Sequence, residues 1–131
     1  MANNEIGSIT WADLTIENAD QIRDFYKEVV GWNSMAVDMG GYNDYCMNSP
    51  GTEQTNAGIC HARGGNADLP PQWLIYITVA DLDQSMESCQ RKGGKILSGP
   101  REMPGQGRYC VIQDPAGAAA ALFQKHKTES E

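Results

Sequence analysis

Two strand–helix units, set 63 positions apart, constrain this chain more than any other feature. The clearer copy runs from Gln72 to Lys95. Trp73 to Val79 is dense in aromatic and β-branched residues, which favour a strand. Asp81 then precedes Gln84 at the spacing of a reciprocal helix cap. Leu82, Met86 and Cys89 fall on one helical face, and Gly93-Gly94 end the helix where a left-handed backbone is easiest. In the earlier copy Thr10 to Ile16 is the strand, and Asn18 with Gln21 is the capping pair. Ile22, Phe25 and Val29 form its helix face, and Gly31 is the stop. A repeat at this period predicts two equivalent halves.

Alternation along the strands assigns their faces. Ala12, Leu14 and Ile16 are directed toward the helix that follows; Ile9, Trp11, Asp13 and Thr15 point to the other side. In the second copy Ile75, Ile77 and Val79 take the helix side, and Leu74, Tyr76 and Thr78 the opposite one. An aromatic and a carboxylate on a non-helix face imply a wet, concave pocket rather than a plain core. Three further strands are expected in each half: Asn33 to Met39, Tyr42 to Asn48 and Asn56 to Ala62, then Lys95 to Met103, Gly107 to Gln113 and Gly117 to Gln124. Gly40-Gly41, Pro104-Gly105 and Asp114-Pro115-Ala116-Gly117 supply turns. The result is one α+β domain over residues 1–131. Module one covers about 6–63, a Gly- and Pro-rich linker about 62–72, and module two about 72–124. The tail from Lys125 to Glu131 is charged and expected to fray.

A net charge of −7 excludes the clustered-cation footprint of a nucleic-acid binder and disfavours anionic membrane surfaces. No apolar run approaches the roughly 20 residues of a membrane-spanning helix. MANNEIGS carries no basic-then-apolar signal pattern, so a cytoplasmic location is expected. Cys46, Cys60, Cys89 and Cys110 form no C-x-x-C pair and lie in apolar patterns, where a reduced thiol acts as a small hydrophobe.

Phe25-Tyr26 before Gly31-Trp32, the Val79-x-Asp81 turn, Gly93-Gly94 and Asp114-Pro115-x-Gly117, in that order, resemble the vicinal oxygen chelate superfamily. That superfamily groups glyoxalase I, bleomycin-resistance proteins and extradiol dioxygenases. The resemblance covers about Ile9 to Phe123. It implies two βαβββ modules whose paired four-stranded curved sheets wrap a cleft with the helices outside, and a homodimer. It also implies a divalent metal held by His and Glu from the first and last strands of each module, with one position open to substrate. Carried over position by position, those donors fall on Trp11, Leu74 and Ala121, with the fourth near Ile59 to His61. Three of them have no metal-binding atom. No metal and no cofactor is therefore expected.

What remains is an aromatic pocket. Trp11, Tyr45, Met47, Leu74, Tyr76, Tyr109, Arg108 and Ala121 are the candidate ligand-binding residues, and Asp13 and His61 the candidate catalytic ones. Flat aromatic walls with few polar groups suit a planar or apolar organic ligand. Asp13 needs a partner, for which Tyr76, Arg63 and Arg108 are available; without one it becomes a general base. Two functions follow. One is a metal-free binding module that holds a small organic molecule unchanged. The other is a lactoylglutathione-lyase-like lyase or isomerase that uses Asp13 and His61, with or without an atypical metal site. The absent donors favour binding.

Overall fold

The computed structural model describes residues 5–126; most of the expected frayed tail lies outside them. Eight strands and two helices follow in the expected order: β1 Ile9–Ile16, α1 Ala19–Val30, β2 Asn33–Asp38, β3 Asn43–Asn48, β4 Thr55–His61, β5 Trp73–Thr78, α2 Leu82–Arg91, β6 Lys95–Met103, β7 Gly107–Gln113 and β8 Ala119–Lys125. This is the α+β pattern of two βαβββ modules. The chain forms two compact units, one from Ala12 to Trp73, the other joining the chain up to Trp11 with the chain from Leu74 onward. The start of the chain joins the second of these units through hydrogen bonds to β5. The Gly7 amide donates to the Thr78 carbonyl at 2.7 Å, and the Thr78 amide to Ser8 at 2.9 Å.

In the unit Ala12–Trp73 the strand order is β2-β3-β4-β1, with β1 parallel to β4 and the rest antiparallel. The other unit repeats this as β6-β7-β8-β5, with β5 parallel to β8. Each helix covers one face of its own sheet. Under α1 the core is Ala19, Tyr45, Met47 and Ile59, flanked by Ile16, Tyr26, Trp32 and Trp73. Under α2 it is Leu82, Cys110 and Leu122, flanked by Ile77, Val79, Met86 and Ile112. The strand faces read from alternation hold on both sides: Ile16 in one unit, Ile77 and Val79 in the other, pack against the helix.

The helices depart from the expected grammar in two places. At α2 the Asp81 carboxylate accepts from the Gln84 amide at 3.1 Å, a true side-chain cap. At α1 Asn18 instead bonds the Gln21 side chain at 3.2 Å and caps no backbone amide. The buried face of α1 also differs. Phe25 and Val29 are 53% and 64% exposed, and the helix buries Ala19 and packs Tyr26 inward instead. Gly31 ends α1 at φ 91°, donating to Lys27 at 3.0 Å. Gly94 serves packing: a Cβ there would stand 2.6 Å from the Cys89 sulfur.

Candidate functional site

Registers decide which candidate residues meet. In the unit Ala12–Trp73, Asp13 lies opposite Gly58 and Ile16 opposite His61. Ile16 packs on the helix side, so His61 does too, and Asp13 faces the other way. By register Asp13 and His61 thus start from opposite faces of the sheet. The physical reason is the period of two: three residues of separation along β1 reverse the face.

His61 instead sits in a polar cluster at the end of β4. Its ring Nδ1 lies 3.3 Å from Asp44 Oδ1, and the same oxygen accepts the His61 backbone amide at 2.8 Å. Nε2 faces Asp20 Oδ1 at 3.6 Å, and that oxygen accepts the Tyr45 hydroxyl at 2.5 Å. Tyr42 and Tyr45 flank the imidazole at 5.5 and 6.4 Å between ring centroids. Arg23 lies over the Tyr45 ring and Arg63 over the Tyr42 ring, at 4.5 and 3.8 Å. The imidazole is thus bracketed by two carboxylates. The Asp20 carboxylate, followed by burial, raises the Tyr45 phenol above its ordinary value. Tyr45 and Met47, expected to contact ligand, belong to the α1 core. Met47 is wholly buried and offers a ligand no surface.

The non-helix face of this unit carries other chemistry. Met35 pairs with Cys46 and Val37 with Asp44, so all four share the face of Asp13, Gly58 and Cys60. Met35 and Val37 are 51% and 37% exposed, while Asp13 and Thr15 are buried. Cys60 is held firmly as a neutral thiol by burial and then by the Asp13 and Asp44 carboxylates. Sequence reasoning assigned no role to Met35, Val37, Asp20 or Asp44. The alternation Met35, Val37 was a signal for the first two. The roles of Asp20 and Asp44 depend on pairings between strand, helix and turn that no local pattern reveals.

In the other unit Tyr76 pairs with Ala121, and Tyr109 with Phe123, on the face away from α2. The Tyr76 and Tyr109 rings lie 5.9 Å apart, tilted by 43°. Tyr109 keeps a half-exposed side chain; Tyr76 is buried, and Leu74 and Ala121 have almost no surface, so these two back the face rather than contact a ligand. Arg108 is on the opposite side from Tyr109, as neighbouring strand residues must be. Its guanidinium grips Asp83 in the first turn of α2 at 3.1 and 3.3 Å and lowers that carboxylate's pKa. Arg108 thus holds α2 rather than a ligand. Trp11 is half-buried in the same unit.

Among the described residues, no three His, Cys, Asp or Glu side chains come together in a way that could hold a metal ion. Trp11, Leu74 and Ala121 add no donors. The side chains present do not fit a divalent centre of the resembled kind.

The family model described as Glyoxalase/Bleomycin resistance protein/Dioxygenase superfamily matches residues 8–122. Over 121 residues the chain is 27% identical to CFP32 of Mycobacterium tuberculosis, whose name marks it provisionally as a glyoxylase, covering 92% of this chain and 45% of that protein. Over 130 residues it is 28% identical to the anthracycline biosynthesis protein DnrV of Streptomyces peucetius, covering 91% and 47%. The chain thus spans about half the length of these curated relatives. A solved Streptomyces coelicolor methylmalonyl-CoA epimerase variant, in complex with 2-nitronate-propionyl-CoA, shares the fold. Its TM-score is 0.58 at 15% identity, over 94% of this chain and 100% of that one. With a family model matching from the first strand to the last, this chain belongs to the Glyoxalase/Bleomycin resistance protein/Dioxygenase superfamily.

Proposed function

We propose that this chain is a small-molecule-binding member of its superfamily that works without a metal and holds an aromatic or apolar organic ligand on non-helix sheet surface. The observation that carries the reading is the open strip of Met35 and Val37 on the sheet face that also carries the Cys46 and Cys60 thiols and, three strands across, the buried Asp13 carboxylate. Exposed apolar side chains around a few polar atoms suit an uncharged organic molecule, which needs no ion to be held. The partly buried Tyr109, its ring tilted against Tyr76, offers an aromatic surface of the same character. The donor set supports the metal-free part of the reading, because the positions that the resemblance reserves for ligands carry Trp11, Leu74 and Ala121. The names of the relatives, a glyoxylase and an anthracycline biosynthesis protein, agree with a small organic partner. We place the protein in the cytoplasm as a homodimer; no described helix is long and apolar enough to cross a membrane.

A second reading, a lyase or isomerase, rests on the contact of His61 with Asp44 and its approach to Asp20. It would use His61 with Asp44 in place of Asp13. Native mass spectrometry of gently purified protein separates the two. Binding predicts an organic mass of a few hundred daltons that survives desalting, and Met35→Asp or Tyr109→Ala releases it while the circular dichroism spectrum is retained. No retained mass, or retention unaffected by both substitutions, contradicts the reading.

A further inference from the structure

A third surface lies on the helix side of the unit Ala12–Trp73. A groove of 360 Å³ runs between β1, α1 and the segment leading into β5. Leu14, Ile16, Ile22, Phe25, Tyr26 and Trp73 wall it. That volume falls in the range of small-molecule sites, roughly 300 to 1,000 Å³. No charged side chain lines it, so a charged guest would lose hydration with nothing in return.

Its walls are ordered by mutual ring contacts. Tyr26 meets Phe25 edge-on at 5.1 Å and Trp73 at 5.3 Å, and Trp32 lies 6.1 Å away. The Trp73 indole N–H donates to the Tyr26 oxygen at 3.0 Å. This bond fixes the oxygen but uses only one of its lone pairs. Among the described residues no acceptor takes the proton of the Tyr26 hydroxyl. The groove therefore presents mainly apolar and aromatic walls with one positioned O–H donor, beside the amides of Gln72 and of Asn18, whose N–H is taken by Gln21.

We infer that this groove binds a flat, uncharged aromatic ketone. The ring system lies against Ile22, Leu14 and Phe25, and the carbonyl oxygen accepts the Tyr26 O–H. The Tyr26 O–H discriminates by the hydrogen bond it gives. An equally flat hydrocarbon fills the same space but leaves the donor unused, at a net difference of about three- to tenfold in affinity. The site is independent of the non-helix surface proposed above.

The test compares fluorenone with fluorene, which differ by that carbonyl alone, using methyl-labelled full-length protein followed by NMR. Fluorenone is expected to shift the Leu14, Ile16 and Ile22 methyls and to bind about three- to tenfold more tightly than fluorene. Tyr26→Phe should abolish the difference between the two probes. Ile22→Phe, which narrows the groove, should weaken both. Equal affinities of the two probes for the unaltered protein would overturn the inference and require no variant to fold. So would shifts confined to Met35 or Val37, which would instead support the non-helix surface, or an absence of shifts.

Discussion

Asp44 holds His61 by two bonds to one oxygen, and the sequence gives no local reason to pair them. Asp44→Ala strips an acceptor from both the backbone and the ring. It should lower stability by about 1–3 kcal/mol in a denaturant titration; an unchanged midpoint would show that water replaces the carboxylate without cost. Met47 and Gly107 are purely architectural. Met47→Ala should cost about 2–5 kcal/mol, as expected for a buried side chain with no surface. Gly107→Ala should be poorly tolerated, because its Cβ would meet the Gln124 carbonyl at 2.1 Å. The thiols give a pH signature. Burial pushes Cys110 up to about 11 from an ordinary 9.0. Its contribution to stability is therefore complete below the unfolded thiol's value and is lost as pH climbs through the folded one. Thiol labelling of the native protein near pH 8 should accordingly leave Cys60 and Cys110 until last.

Strands, turns and their order were legible because the period-two pattern and the glycine stops repeat. β6 and β7 begin and end where the sequence placed them, at Lys95–Met103 and Gly107–Gln113. Faces were legible within a strand, which is why Leu14 and Asp13 were separated correctly. Pairings between strands were not. That Arg108 faces Asp83, and that His61 stands opposite Ile16 rather than beside Asp13, depends on registers that local spacing does not contain. The first helix misled because its three apolar residues have two different fates. Ile22 lines the groove, while Phe25 and Val29 remain largely exposed and the smaller Ala19 is buried. Val29→Ser should therefore change stability by less than about 0.5 kcal/mol in dilute monomer. If this helix face mediates the proposed homodimer, the same substitution should shift light-scattering mass from twice 14.3 kDa toward 14.3 kDa. Gly31→Ala should cost about 1–2 kcal/mol, since φ 91° strains any residue with a Cβ.

The two βαβββ modules keep the architecture of their superfamily, and our proposal is that they work without a metal. The donor positions implied by the resemblance fall on Trp11, Leu74 and Ala121, which offer no donor, and two carboxylates have partners of their own, Asp44 with His61 and Asp83 with Arg108. Such a framework needs no ion to fold, because the cores under α1 and α2 are built from apolar and aromatic side chains and a neutral thiol. Equilibrating the pure protein with Zn²⁺, Ni²⁺, Mn²⁺ or Fe²⁺, desalting it, and counting the retained metal by plasma mass spectrometry puts this to the most direct test. Binding without an ion predicts far less than one metal per chain for every cation and an unchanged melting temperature. About one retained ion per chain, with a higher melting temperature that is lost on chelation, would contradict it.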